Sequence, residues 1–402
     1  MYRQVPPVDR KMMQKINQNT LLNLIRVHAP VSRTELRRLS GLSQGTIFGM
    51  TASLIEQQLI VETGETQSTG GRKAELLEIY PEGGYVLGLE IREYELIMVL
   101  LNLHGNIVEI EHHEAHFRSN GAQAVEWITT SVDAFIERTR VPREKLLGVG
   151  CGVSGGVNTE LGEVVDSWIL DWHNVMIGPP LQEHFKLPVF VDNSVNCLIC
   201  YERLFRSGQM YHNFLLVTFG RGLGMAAIIR DNPFRGAQGL GAEFGHIPFD
   251  THGRFCECGN QGCLEAYVSD HGILRTYAEI VADASSQAEA VNVSLVEQLV
   301  ELAVQGNQDA LRAFELTGTY LGNGLACLVN LFNPECLIIC NEGEHLLSLL
   351  SPSMKTALKQ HTFSQLGKNL QLICEQNTTI ESWARGAGCL VLQDFFASPK
   401  QF

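Results

Sequence analysis

Within one segment, GLGAEFGHIPFDTHGRFCECGNQGCLEAY, the chain sets His246 ahead of Cys256, Cys258 and Cys263, in the pattern H-x9-C-x-C-x4-C. One imidazole and three thiolates complete a tetrahedral zinc set with no position left for water. The spacing therefore predicts one structural Zn2+ per chain. Gly259 and Gly262 supply the tight turns that would fold the loop onto one ion. Buried cysteines acting as small apolar residues are the bland alternative. That description suits Cys151, Cys327, Cys336 and Cys389, which sit in apolar surroundings and are expected to be buried. It suits the glycine-rich, polar segment poorly. An odd count of 11 cysteines, without a small-scaffold pattern, also speaks for reduced thiols or metal ligation rather than a disulfide framework.

A chain of 402 residues has length for two or three domains. No apolar run is long enough to span a bilayer, and MYRQVPPVDRKMMQK lacks the apolar centre of a signal peptide, so a cytoplasmic protein without membrane insertion is expected. The net charge of −14 argues against nucleic acid until its distribution is considered. Residues 1–60 carry eight Lys and Arg against three acids, a net of +5, which leaves −19 for the remainder. A basic head on an acidic body suits a phosphate-contacting module joined to a part that must not adhere to DNA.

The head has helical periodicity from about Lys11 to Val27, with Ile16, Leu21, Leu24 and Ile25 on one face. Ser32 and Glu35 form a capping-box pattern opening a short helix through Leu39, Gly41 supplies a turn, and Ser43 caps a third helix ending near Gln58. Ile47, Leu54 and Ile55 are its inward residues. Two short helices across a glycine turn have helix-turn-helix spacing. The later helix would present Ser43, Gln44 and Thr46, with Phe48 beyond, to the major groove of operator DNA. Strands at 59–62 and 74–79 flank TGETQSTGGRK, a wing whose small residues would let Arg72 and Lys73 approach the DNA backbone. A helical protein-interaction module with an ordinary hairpin is the alternative.

Gly241 to His246 and Cys256 to Glu265 closely resemble the signature of the ROK family of repressors and sugar kinases. The resemblance extends to the Gly-Gly-Arg wing, the CGVSGGVN loop and Arg385-Gly386-Ala387. It implies an α/β fold: an N-terminal winged helix-turn-helix, then a two-lobed actin/hexokinase-like (ribonuclease H-like) body with a zinc knuckle. The expected divisions are 1–82 for the head, 83–200 with 383–402 for the first lobe, and 201–382 for the second. It also implies that Glu243, Glu265, His246 and Asn193 contact a sugar or sugar phosphate in the interlobe cleft. Carboxylates and an amide suit a polyol, whose hydroxyls need partners once desolvated.

Against the family's kinases, three features are missing. Ser194 stands in Asp192-Asn193-Ser194-Val195-Asn196 where the resemblance puts a catalytic aspartate, and a serine hydroxyl is no general base at neutral pH. The first phosphate loop reads Glu90-Ile91-Arg92-Glu93-Tyr94-Glu95, without its glycines, and the adenosine turn keeps only Gly343. Gly220-Arg221-Gly222-Leu223-Gly224 still resembles the second phosphate loop. The expectation is a homodimeric or homotetrameric repressor of carbohydrate genes, modulated by a sugar and lacking kinase activity. An active kinase with a DNA-binding head, and a regulator controlled by a partner protein, stay open.

Overall fold

The computed structural model describes residues 10–65, 75–283, 293–341, 345–375 and 378–397. The chain opens with helix α1 (Arg10–His28), strand β1 (Val31–Ser32), helices α2 (Arg33–Ser40) and α3 (Gln44–Glu56), and strands β2 (Ile60–Glu65) and β3 (Glu75–Ile79). Leu21, Leu22, Ile25, Leu36, Ile47 and Leu54 are buried against Leu77 and Ile79 of the sheet, so the helical period does set the inward face. Gly41 ends α2 at φ 69°, and its N–H is satisfied by the Arg37 carbonyl. Ser32 accepts from the Glu35 N–H, but the Glu35 carboxylate pairs with Arg38, so only half of the predicted capping box is recorded. The sequence also gave no sign of β1, a two-residue strand that pairs with β3 and makes the sheet three-stranded.

The first lobe follows: β4 (Tyr85–Ile91), β5 (Glu95–Asn102), β6 (Ile107–Glu114), α4 (Gly121–Thr139) and β7 (Leu146–Val153). A small antiparallel flap comprises β8 (Gly156–Asn158), β9 (Glu163–Ser167) and β10 (Trp172–Met176), before α5 (Gly178–Phe185), β11 (Val189–Asn193) and α6 (Ser194–Phe205). Its main sheet has the order β11-β7-β4-β5-β6, with β11, β7 and β4 parallel. The second lobe holds β12 (Phe214–Phe219), β13 (Leu223–Ile229), β14 (Asn232–Pro233), α7 (Glu265–Val268), α8 (Asp270–Asp283), α9 (Val296–Val304), α10 (Gln308–Phe332), β15 (Cys336–Asn341), α11 (Leu346–His361) and β16 (Gln371–Glu375). Its sheet runs β14-β13-β12-β15-β16. Helix α12 (Ile380–Phe396) returns to cover the first sheet, where Gly88 and Gly150 let the helix backbone approach: a Cβ on Gly150 would stand 1.8 Å from the Ala387 carbonyl. Helix α6 straddles residue 200, and α12 begins at Ile380, three residues before 383.

Head and body share one continuous apolar core. Asn19 donates to the Ala397 carbonyl at 2.6 Å, and Arg26 donates to the Leu204 carbonyl at 2.7 Å while lying over the Phe396 ring. Burial, then the neighbouring Arg203 charge, lowers the Arg26 pKa to about 10.

One burial expectation is overturned. Cys151, Cys336 and Cys389 are buried, but Cys327 is exposed. It lies on α10 with exposed Asn330 and Leu331, three and four residues on, so helical period turns it outward despite apolar neighbours in sequence. Among the described residues no helix is long and apolar enough to cross a membrane.

Candidate functional site

The donor atoms of His246, Cys256, Cys258 and Cys263 all lie within 4.8 Å of one another. A tetrahedron with zinc–sulfur bonds of about 2.3 Å has edges of about 3.8 Å. The Cys258 and Cys263 sulfurs are 3.7 Å apart, and Cys256 Sγ is 3.8 Å from His246 Nδ1. The donor set thus has the chemistry and spacing for zinc. Burial pushes the Cys256 thiol up, with the Glu265 charge adding to it, a cost that a bound cation would reverse.

The loop is held by Arg254, a buried arginine that sequence reasoning missed. Its guanidinium donates to the Ala266 and Gly272 carbonyls and to Thr276 Oγ1, pairs with Glu279 at 2.6 Å, and stacks on Tyr267. The knuckle is therefore bolted to α8 by charge-assisted hydrogen bonds. No local pattern marks such a residue, because its partners, two backbone carbonyls and three side chains, are brought close only by folding.

Between the lobes lies a recess of about 340 Å³, its open mouth included. Gly155, Asn193 and Asn196 line it from the first lobe, and Gly224, Gly241 and Glu243 from the second. Gly155 adopts φ 104° where a Cβ would stand 2.3 Å from the Asp166 carbonyl, so the flap can close against it only without a side chain. Glu243 is open to the recess, yet the surrounding walls raise its pKa, the nearby His246 opposing and Glu265 adding. Asn193 Nδ2 donates to the Gly155 carbonyl and its Oδ1 accepts from the Val195 N–H, which fixes the amide at the lip. Glu265 turns elsewhere: Oε2 accepts from the Leu223 N–H at 2.9 Å, and Oε1 lies 3.6 Å from Cys256 Sγ. The four expected sugar residues thus divide. Asn193 and Glu243 line the recess, whereas His246 and Glu265 are not among its lining residues and reach it only through their charge effect on Glu243.

Ser194 is buried and donates to Glu90 Oε1 at 2.6 Å. Asp192 is 2% exposed; it takes two hydrogen bonds from Arg235, at 2.9 and 2.6 Å, and one from Asn196. Both groups are thus engaged by partners within the protein.

In the head, Ser43 Oγ accepts from the Thr46 N–H and lies 2.8 Å from Thr46 Oγ1. Ser43 and Thr46 are thereby occupied with capping, and Gln44 and Phe48 remain exposed on the outer face of α3. Nothing lies within 4 Å of a Cβ built on Gly45 or Gly49, so that face is open. Arg33, also unforeseen, ties α3 to the sheet: it donates to Thr51 Oγ1, pairs with Glu62 and Glu75, and lies over Phe48. Arg72, Lys73 and Gly343 lie outside the described residues.

Two α/β lobes closing on a recess, with one sheet strapped by the returning C-terminal helix, form a body of the actin/hexokinase type. A sequence model of the ROK family matches residues 86–394, and the chain belongs to that family. It is 29% identical to the xylose repressor of Bacillus spizizenii over 368 residues, 91% of this chain and 92% of that one. The DNA-binding transcriptional dual regulator NagC of Escherichia coli is 24% identical, covering 92% of this chain and 90% of its own. A crystal structure of a ROK family transcriptional regulator, a homologue of the Escherichia coli MLC protein, superposes with a TM-score of 0.82 at 25% identity over 96% of this chain and 97% of that one. A ROK glucokinase from Streptomyces griseus, solved with glucose and AMPPNP, aligns at TM-score 0.64 and 24% identity over 76% of this chain and 99% of its own, a likeness of fold.

Proposed function

We propose that this protein is a transcriptional repressor of carbohydrate genes that binds operator DNA through its head and responds to a sugar or sugar phosphate held between its lobes. The observation that carries the reading is one continuous core running from α3 to α6, whose N-cap Asn193 and first-turn Asn196 line the recess that Glu243 faces. Relatives named as repressors match across both regions.

The head acts as a winged helix-turn-helix. Ser43 caps the recognition helix, Gln44 meets base edges, and Arg72 and Lys73 contact the backbone from the wing. A homodimer or homotetramer would set two heads on a two-fold operator. In the recess, Glu243 accepts from sugar hydroxyls and Asn193 offers its remaining N–H, while His246 and Glu265 complete the wall. His246 Nδ1 faces the cysteines, which leaves Nε2 for the sugar side. His246, Cys256, Cys258 and Cys263 would hold one structural zinc that stiffens this wall. A sugar touching both lobes favours one closure and thereby shifts the population of head arrangements.

Phosphoryl transfer is not part of this function. Ser194 is spent on Glu90 and Asp192 on Arg235, so neither serves as the base that a sugar hydroxyl would need at that position. The test is operator binding by gel shift or anisotropy with DNA selected from a random library, with and without D-xylose, D-glucose and their phosphates. A sugar that changes operator affinity supports the reading. ATP-dependent phosphorylation of any of them would replace it with an active kinase.

A further inference from the structure

Glu93 lies in the turn between β4 and β5 of the first lobe, and Arg221 in the turn between β12 and β13 of the second. Arg221 Nε is 3.5 Å from Glu93 Oε2, and its Nη1 is 2.6 Å from the carboxylate of Glu257, between Cys256 and Cys258. Arg118 holds the other Glu93 oxygen at 2.7 Å and donates to the Ile169 carbonyl beside the flap. Four charged side chains thus join the zinc loop, the second-lobe turn, the first-lobe turn and the flap. Two residues beyond Arg221, the Leu223 N–H donates to Glu265, and a Cβ on Gly222 would stand 3.1 Å from that same carboxylate. The turn carrying Arg221 therefore rests on Glu265, whose charge acts on Glu243 in the recess.

We propose that Glu93 and Arg221 are positioning residues that carry the state of the recess to the first lobe, an internal ionic tie joining the two lobes at this edge of the cleft. A shift of Glu265 when a sugar binds moves the 220–223 turn, Arg221 transfers that movement to Glu93, and β4 and β5 pass it to α12, against which the head is anchored by Asn19 and Arg26. A coupling of this kind needs a contiguous set of contacts, and Arg221–Glu93 is the only ion pair recorded between these two turns among the described residues. This inference rests on the sugar-responsive reading for its outcome, though the tie exists without a sugar.

The experiment compares the wild type with Glu93→Gln, Arg221→Gln and the double variant, using selected operator DNA and the D-xylose, D-glucose and phosphate panel. The exposed Arg312–Glu315 pair on α10, altered by Glu315→Gln, is the control. Each single variant is expected to shrink the sugar-induced change in operator affinity at least threefold, the double no further, with direct sugar affinity and zinc content within twofold of wild type. Unchanged responses, or additive losses, overturn the proposal. A response lost because the sugar no longer binds also overturns it, since the residues would then belong to the recess itself. A wild type that responds to no sugar defeats the functional reading alone. The tie is then judged by interlobe distance, from pulsed dipolar measurements between unnatural amino acid labels at Gln123 and Glu301. Both variants should broaden the distribution equally, and an unaltered distribution overturns the tie.

Discussion

Ser194 shows how a side chain can be committed inside the fold. Its hydroxyl donates to Glu90 inside the first lobe, where a second carboxylate would face the first without water between them. Ser194→Asp should therefore create a proton-sharing acid pair rather than a base. Thermal melts should register a loss of about 2–4 kcal/mol at pH 8, partly recovered at pH 5, with no phosphoryl transfer at either pH. Glu202 offers a second pH test. Burial raises its pKa to about 7, with Arg206 opposing and Glu375 adding. A carboxyl whose folded pKa lies above its unfolded value costs nothing below pH 4, and its penalty grows as pH rises through that window to about 7. Glu202→Gln should accordingly stabilise the protein by ~2 kcal/mol at pH 8 and leave it unchanged at pH 4. Sequence could mark Ser194 as a residue type unsuited to a base where the family resemblance puts an aspartate. It could not reveal the Glu90 contact, which joins residues 104 positions apart.

At the scale of elements, legibility followed how local the cause was. The three head helices, their Ser32 and Ser43 caps and the Gly41 turn are set by near neighbours, and all were readable. Strand β1, two residues paired to a distant partner, left no period to read. The His/Cys loop was legible as a candidate metal-donor set because ligand spacing is itself local, while Arg254, which anchors it, was not. Loss of the metal should be a loss of that element: Cys258→Ser is expected to reduce zinc from about one per chain to near zero by elemental analysis, with a fall in melting temperature. Zinc absent from freshly purified, unchelated wild type would remove the knuckle. On α3, Gln44 is exposed and uncommitted, whereas Thr46 is bound to its cap. Gln44→Ala should blunt discrimination among operator bases by about 1–3 kcal/mol, read as affinity ratios across single-base variants. Lys73→Ala should instead weaken every sequence alike and reduce the salt slope by about one.

On the proposed function the whole molecule unites a sugar recess with a DNA-reading head, and their coupling would be a property that neither part has alone. Glu243 is the residue on which that coupling can be tested most cleanly. It lines the recess from the second lobe, beyond the four predicted ligands of the zinc loop, and it makes none of the contacts that fasten the head to α12. Glu243→Gln keeps the shape and removes the charge that desolvated sugar hydroxyls would favour as an acceptor. Operator binding without sugar, and zinc content, should therefore match the wild type. The sugar-induced change in operator affinity, expected at about 5–150-fold from a coupling of about 1–3 kcal/mol, should disappear. Linkage supplies a second measurement: operator DNA must change wild-type sugar affinity by the same factor, and calorimetry of the protein with and without DNA reads it directly. Glu265→Gln should also abolish the response, but with some loss of stability, because its carboxylate holds the Leu223 N–H as well. A sugar response surviving in the double variant would place the effector somewhere other than this recess.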